Sequence, residues 1–362
     1  MLLAACGDPV SVEEQVYGGP DNPAADGSYT EAIVSVNGIA SLDPVMLGGV
    51  EQWILIRGHD IGNPVLIYLH GGPGSPAIAY GRIAFGGLER DFTVVTWDQR
   101  GSGKSYSPSI DAQSITIEQL LADTRELIDL MRARFDVADV YLLGASWGSV
   151  LGVLTARDHP EAIHTYIGLG QYIDAVGTMR LAHAAVLDLA TELGIQEAID
   201  VLSTIQLYPE IDWDRWGDVV VWLEALGLGD IHDPSLIQSL TESLFAATEY
   251  TPEDFANQVA WQDLYWASPL NAGHGWVYGL VIPDRVPRLD VPVFFLSGRY
   301  DYKTPGELVE DDLDELDAPE GKSMHWFEDS AHALFFEQPE AFDDVMLESV
   351  LARPGPRVPD RF

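Results

Sequence analysis

Short apolar runs, each bounded by polar or turn-forming residues, recur along most of the chain. Runs of this kind, rich in Val, Ile, Leu and Phe, predict strands that are buried in a sheet. They predict strands near residues 31–36, 51–57, 64–69, 92–97, 139–143, 163–168, 291–296 and 322–327. Amphipathic segments separate several of these strands, and strands that alternate with helices form a mainly parallel sheet flanked by helices. The pattern therefore predicts an α/β fold.

One amphipathic segment, residues 116–135, predicts a long helix, because its apolar positions repeat at helical spacing and Thr116 is a favoured helix-start residue. Residues 171–285 show no convincing strand pattern and predict several helices separated by Pro and Gly. Three parts are therefore expected along the chain: a polar tail at 1–29, a core at 30–170 and 286–362, and a helical lid at 171–285.

The segment Gly144-Ala145-Ser146-Trp147-Gly148 lies between an apolar run and a helix-like stretch. A strand, a G-x-S-x-G turn and a helix form a nucleophile elbow, in which the serine hydroxyl is exposed at the strand end. The turn is so sharp that small residues are needed two positions before and after the serine, and both positions are glycine. Ser146 is therefore the predicted nucleophile. The alternative is an ordinary Gly/Ser turn after a buried strand.

A serine nucleophile needs a base that accepts its proton and a third group that orients the base. In chains with a nucleophile elbow, the acid follows the serine and the histidine comes last. Asp301 follows the predicted strand at 291–296, and His332 follows the one at 322–327. We predict that Ser146, Asp301 and His332 form a catalytic triad. Taken singly, Asp301 is also typical of a solvated loop and His332 of a helix start.

A glycine-rich segment, His70-Gly71-Gly72-Pro73-Gly74, follows the predicted strand at 64–69. Glycines let backbone N–H groups approach the negatively charged oxygen that forms when a nucleophile attacks a carbonyl. The N–H groups of Gly71, Gly72 and Trp147, the last being the residue after the nucleophile, are the predicted oxyanion hole.

Three segments of the chain resemble the proline iminopeptidases, which are serine hydrolases of the α/β-hydrolase fold. These segments are His70-Gly71-Gly72-Pro73-Gly74, Trp97-Asp98-Gln99-Arg100-Gly101-Ser102-Gly103-Lys104-Ser105 and Gly144-Ala145-Ser146-Trp147-Gly148-Ser149. The second is more specific than G-x-S-x-G, which every branch of the fold shares. The resemblance extends from about residue 50 to 170 and from about 286 to 345. It implies the same triad, and release of an N-terminal proline or small apolar residue through an acyl-enzyme.

The predicted lid is the part that the resemblance covers least, and it decides the substrate. In the resembled enzymes, lid carboxylates hold the free amine of the substrate, and one of them lies in a Trp-Glu pair. The nearest segment here is Ala260-Trp261-Gln262-Asp263, with glutamine where that glutamate is expected. Asp263 and Glu224 are the candidates to replace it. Trp261 and Tyr265 are the candidates to line an apolar substrate pocket.

Other activities of a serine hydrolase stay open on this sequence. Glutamine offers an amine only a neutral dipole, so an esterase, lactonase or amidase that acts on small apolar substrates is a second prediction. A binding protein with an inactive site is a third, against which the intact order of the triad argues. The sequence implies no cofactor. The histidines show none of the spacings typical of a zinc site, so no metal is expected.

The chain carries 57 acidic and 19 basic residues, a formal net charge of -38. A surface this acidic repels nucleic acids and anionic membranes, so the predicted partner is a small molecule or a short peptide.

The segment Leu3-Ala4-Ala5-Cys6 resembles a bacterial lipobox, in which the cysteine becomes acylated. The polar stretch that follows it, to about Ser28, is typical of a flexible tether. We therefore expect a lipid anchor at Cys6 and a location in the cell envelope. The alternative is a cytoplasmic enzyme with an N-terminal tail.

Overall fold

The computed structural model describes residues 30–271 and 276–352, so Cys6 and its predicted anchor lie outside the described residues. Eight strands form one sheet in the order β1-β2-β4-β3-β5-β6-β7-β8. The strands are β1 (Ile39–Leu47), β2 (Val50–Gly58), β3 (Val65–Leu69), β4 (Thr93–Asp98), β5 (Val140–Ala145), β6 (Ile163–Leu169), β7 (Val293–Gly298) and β8 (Lys322–Phe327). The sheet is antiparallel only where β2 meets β1 and β4, and every later pairing is parallel.

One predicted strand is wrong, and one strand was not predicted. Residues 31–36 form no strand: Ile33 is buried, but Val34 and Val36 are 71% and 91% exposed. The first strand is β1, which begins a few residues later. Its apolar pattern is interrupted by the charged Asp43 and by Pro44. Proline is tolerated there because β1 lies at the edge of the sheet, where one row of backbone groups has no partner strand.

Thirteen α-helices occur in the described residues. They are α1 (Ile78–Phe85), α2 (Ile117–Phe135), α3 (Trp147–Asp158), α4 (Ala175–Leu193), α5 (Gln196–Leu202), α6 (Trp216–Ala225), α7 (Ile237–Phe245), α8 (Pro252–Ala256), α9 (Gln258–Trp266), α10 (Ile282–Arg285), α11 (Gly306–Glu315), α12 (Leu334–Glu337) and α13 (Pro339–Asp344). A π-helix, Val345–Leu351, follows the last of them. Helix α2 begins as predicted: the Thr116 side chain accepts a hydrogen bond from the Gln119 N–H, which satisfies one of the free donors of the first turn.

Both faces of the sheet are covered, because successive side chains of a strand point to opposite sides. In β3, Val65 and Ile67 belong to one apolar cluster, which includes residues of α2 and α3. Leu66 and Tyr68 belong to a second cluster, which includes Phe85 of α1 and residues of the C-terminal helices. The carboxyl ends of the parallel strands stay open for the loops that carry polar side chains.

The segment between β6 and β7 forms helices α4 to α10, which we call the helical insertion. A buried ion pair between Arg82 of α1 and Glu249 ties its middle to the core. The neighbouring Tyr250 hydroxyl donates to both carboxylate oxygens of buried Asp98, at 3.0 and 2.9 Å. The insertion is therefore fixed to the core at this point as well as at its two ends. In the described ranges, no helix has the length and apolar character needed to cross a membrane.

Candidate active site

Ser146 lies at the sharp turn between β5 and α3. Its backbone has φ 54° and ψ -121°, a conformation that costs a residue other than glycine about 1–3 kcal/mol. The turn is closed tightly against its neighbours, since a Cβ on Gly148 would lie 1.9 Å from the Leu69 carbonyl oxygen. The local sequence folds into a strained elbow because two glycines allow the backbones to cross at this distance.

Asp301 and His332 are brought together from the loops after β7 and β8. The His332 Nδ1 lies 2.7 Å from Asp301 Oδ2. A carboxylate only accepts, so Nδ1 carries the hydrogen and Nε2 of the neutral ring is free to take a proton. The Lys303 and Thr304 N–H groups donate to Asp301 Oδ1, each at 2.9 Å, and the Thr304 hydroxyl donates to Oδ2 at 2.8 Å. This network fixes the orientation of the imidazole.

The charge state of His332 reflects opposing influences. Burial disfavours the imidazolium, but the charge of Asp301 and its hydrogen bond outweigh burial, so the pKa of His332 is raised above its usual value. Lys303 lowers that pKa and Asp230 raises it. The ring is therefore a stronger base than a free imidazole, as a group that must accept a proton from a hydroxyl requires.

The glycine-rich loop lies directly against Ser146. A Cβ on Gly71 would be 3.1 Å from the Ser146 Cβ and 3.5 Å from its Oγ. The buried His70 holds this loop: its Nε2 accepts from the Gln99 N–H at 3.0 Å, so its Nδ1 donates to the Gly71 carbonyl at 2.8 Å. Burial lowers the pKa of His70 to about 4, which keeps the ring neutral. On the other side of the serine, the Trp147 N–H is at the amino end of α3, where helix donors point outward.

Two cavities meet at Ser146. Cavity A, of about 400 Å³, includes Ser146, His332 and Gly72 and is otherwise lined mainly by apolar residues such as Leu244 and Phe335. Cavity B, of about 390 Å³, shares Ser146 and Gly72 with cavity A and extends under the helical insertion. The aromatic residues that line cavity B are Tyr172, Trp213, Trp216, Trp261, Tyr265, Trp266 and Tyr278. Ser146 thus lines two largely apolar cavities.

The four predicted substrate residues have different surroundings. Trp261 and Tyr265 line cavity B, and the Tyr265 hydroxyl also donates to the Arg100 carbonyl at 2.8 Å. Asp263 is exposed and lies outside the linings of cavities A and B, so the structure does not bring it to the nucleophile. Glu224 also lies outside the linings of cavities A and B, but its carboxylate is paired with the ammonium of Lys303, which lines both, at 3.2 Å.

Several residues that organise the site were not among those predicted from the sequence. Lys303 and Asp230 carried no motif signal, because their contacts join segments far apart in the chain. His70 and Asp98 did lie inside the motifs that carry the resemblance. Asp98 accepts hydrogen bonds from the N–H groups of Ala77, Ile78 and Lys104, and burial raises its pKa to about 6. Within the described ranges, no group of three or more His, Cys, Asp or Glu is arranged to bind a metal.

The chain is similar to known α/β hydrolases, several of which are named as aminopeptidases or proline iminopeptidases. The α/β hydrolase fold family matches residues 64–197. The probable aminopeptidase YbaC of Bacillus subtilis is 31% identical over 319 residues, which cover 85% of this chain and 95% of that protein. A proline iminopeptidase of Heyndrickxia coagulans is 24% identical and covers 87% of this chain and 96% of its own length. The proline iminopeptidase of Mycobacterium smegmatis shares the fold, with a TM-score of 0.59 at 21% identity over 85% of this chain and 97% of that one.

Proposed function

Because this chain belongs to the α/β-hydrolase family, among the proline iminopeptidases and related aminopeptidases, we propose that it is a serine hydrolase with Ser146 as its nucleophile. Its proposed reaction is release of an N-terminal proline or small apolar residue from short peptides and amides through an acyl-enzyme. The observation that carries the proposal is the strained elbow at Ser146, which shares cavity A with His332, whose ring is hydrogen-bonded to Asp301.

In the proposed mechanism, Ser146 Oγ attacks the substrate carbonyl while His332 Nε2 takes the hydroxyl proton. The negative charge that develops on the carbonyl oxygen is stabilised by N–H groups of Gly71 or Gly72 and of Trp147. The tetrahedral intermediate then collapses, the C–N bond breaks, and the imidazolium gives its proton to the leaving amine. A water molecule, deprotonated by His332, hydrolyses the acyl-enzyme by the same steps. Asp301 stays ionised and stabilises the imidazolium that forms.

A second candidate function, hydrolysis of neutral esters, lactones or amides, is favoured by the lining of cavity B. Among its described residues, the one side chain that carries a full charge at neutral pH is Lys303, a cation. An aromatic cavity without a carboxylate suits an uncharged apolar group better than an ammonium. The same triad would cleave such substrates, with an alcohol as the leaving group for an ester.

Covalent labelling with a fluorophosphonate tests the proposed nucleophile. The wild-type protein is expected to be labelled at Ser146, as mass spectrometry of its peptides would show, and Ser146→Ala is expected to lose labelling and several orders of magnitude of turnover. Circular dichroism of both proteins controls for folding. Labelling elsewhere, or more than about a tenth of wild-type turnover in Ser146→Ala, would reject this nucleophile.

A further inference from the structure

A three-residue charge cluster lies where the helical insertion meets the catalytic loops. The Lys303 ammonium is 2.7 Å from Asp230 Oδ1 and 3.2 Å from Glu224 Oε1. Glu224 Oε2 also accepts from the Asp230 N–H, at 2.9 Å. The cation comes from the loop after β7, and both carboxylates come from the helical insertion.

This cluster is held beside the reacting groups. The Lys303 backbone N–H donates to Asp301, and the Lys303 side chain lines both cavity A and cavity B. The segment with Asp230 pairs with the His332 loop, since the Ala333 N–H donates to the Asp230 carbonyl at 2.9 Å and the His332 N–H to the Gly229 carbonyl at 3.2 Å. Asp230 itself lines cavity A.

The acidic residues that line the cavities around Ser146 are already paired with lysines. Asp230 in cavity A is paired with Lys303. A third cavity adjoins cavity A and is lined by Asp230 and by a second acidic residue, Asp254. The Asp254 carboxylate is paired with the Lys104 ammonium at 3.0 Å. Cavity B has no acidic residue among its described lining. A substrate ammonium that enters would have to displace a lysine that is tethered to its carboxylates and therefore present at high effective concentration.

We propose that Lys303 is a specificity-determining residue whose ammonium occupies the carboxylate pair Glu224 and Asp230, so that the site favours acyl groups without a free amine. The proposal rests on the proposed function of Ser146 as a nucleophile. Of the two candidate reactions, it favours hydrolysis of neutral esters, lactones or blocked amides over release of an N-terminal proline. A free N-terminal amine is tolerated but gains no charged partner. The pairing of Lys303 with the two carboxylates does not weaken binding of N-blocked amides or neutral esters, because these substrates carry no ammonium.

The side chain can be replaced without removing the backbone contact that holds Asp301, because that contact is made by the Lys303 N–H. Lys303→Met keeps an unbranched, apolar stem of similar length and removes the charge. Both carboxylates are then left without their cation. A hydrogen bond between charged groups contributes about 1.5–3 kcal/mol, which corresponds to a factor of about ten to a hundred in binding or in kcat/KM.

The experiment compares kcat/KM for prolyl-p-nitroanilide with that for N-acetylprolyl-p-nitroanilide at pH 7.5. In Lys303→Met, the ratio of free-amine to blocked substrate is expected to rise about tenfold or more. The triple variant Lys303→Met/Glu224→Gln/Asp230→Asn, which has neither cation nor carboxylates, is the matched control, and its ratio is expected to return to that of the wild type. The double variant Glu224→Gln/Asp230→Asn, which leaves Lys303 unpaired, is expected to lower the ratio below that of the wild type.

Lys303→Met and Glu224→Gln/Asp230→Asn are therefore expected to shift the ratio of free-amine to blocked substrate in opposite directions. A purely structural role for Lys303 would not produce opposite shifts. If Lys303→Met lowers both substrates by the same factor, or leaves the ratio unchanged, the inference is wrong. If Lys303→Met does not fold, the double variant decides: an unchanged or increased ratio overturns the inference. Absence of fluorophosphonate labelling in the wild type would overturn the proposed function and the inference with it, whereas labelling with an unchanged ratio rejects the inference alone.

Discussion

The loops at the carboxyl ends of the strands and the helical insertion face the same cavities but are built differently. In the loops, the polar groups are fixed by short contacts to the backbone: Asp301 accepts from two N–H groups, and His70 joins two loops through its two ring nitrogens. The insertion presents mainly aromatic side chains to cavity B. Its carboxylates Glu224 and Asp230 contact the loops through the Lys303 side chain.

If Ser146, His332 and Asp301 act as proposed, bond cleavage and substrate choice are carried by separate parts of the molecule. The loops fix the Asp301 carboxylate and the His332 ring through several hydrogen bonds, so few substitutions there would keep the geometry. The insertion supplies most of the aromatic lining of cavity B, and these side chains can be substituted without moving Ser146. Lys303 is one of the residues where the two parts meet, since its backbone holds Asp301 and its side chain holds the insertion. The backbone of Gly229 and Asp230 also accepts from the N–H groups of His332 and Ala333.

The largest expected effect tests whether the loops act on all substrates alike. Asp301→Asn should lower turnover by about 10³–10⁴, because the amide favours the wrong imidazole tautomer. The measurement is kcat/KM for prolyl, N-acetylprolyl and aryl ester substrates, with the Asp263→Asn variant as a control at an exposed carboxylate. A loss that differs tenfold or more between the substrates would contradict the separation of the two parts.

A smaller effect tests how firmly the loops depend on a neutral His70. Burial lowers the pKa of this ring to about 4 in the folded protein, whereas the usual pKa of a histidine is about 6.5. The folded-state pKa is lowered, so the contribution of His70 to stability is complete above about pH 6.5 and is lost as the pH falls towards 4. At pH 5 the loss is about 2 kcal/mol.

The measurement for His70 is urea unfolding of the wild type and His70→Asn between pH 7.5 and pH 5. The free energy of unfolding of the wild type should exceed that of the variant at pH 7.5, and this difference should shrink by about 2 kcal/mol at pH 5. Since Asp98 and other carboxyl groups titrate in both proteins, their contributions cancel in the difference. A difference that stays constant with pH would show that His70 is not held neutral.

The smallest effect concerns the strain at the elbow. Ser146 has φ 54°, which glycine adopts without the penalty that other residues pay. Ser146→Gly should therefore be more stable than Ser146→Ala by about 1 kcal/mol, once the greater freedom of glycine in the unfolded chain is subtracted. The two urea midpoints measure this difference. Equal midpoints, or a more stable alanine variant, would mean that the elbow is not strained.

The sequence predicted the sheet well where strands are buried on both faces. Seven of the eight predicted runs overlap a strand. Strands β3 to β7 were predictable because strands buried on both faces need nearly continuous apolar residues. The exception is instructive: Val34 and Val36 are apolar but exposed, whereas β1 contains Asp43 and Pro44 and still pairs along its full length with β2. Edge strands are stabilised on one side only, and their sequences carry a weaker signal.

The loop residues were predictable because each follows a strand, so that topology alone brings Asp301 and His332 to one edge of the sheet. The residues that surround the substrate were not predictable in this way. Asp263 and Glu224 are the acids predicted to replace the expected glutamate. Asp263 is exposed, and Glu224 is paired with Lys303, 79 residues further along the chain. Contacts between residues that are this far apart depend on how helices pack, and a single sequence contains no local pattern for them.

The buried ion pair between Arg82 and Glu249 has a consequence for how this enzyme can diversify. Removing one partner of a buried ion pair costs about 3–5 kcal/mol, so the stretch around Glu249 and Tyr250 is under strong constraint. It divides the insertion into two modules, of which the first contributes Trp216 to cavity B and the second contributes Trp261. A change in one module therefore need not shift the other, because the ion pair between them is fixed to the core.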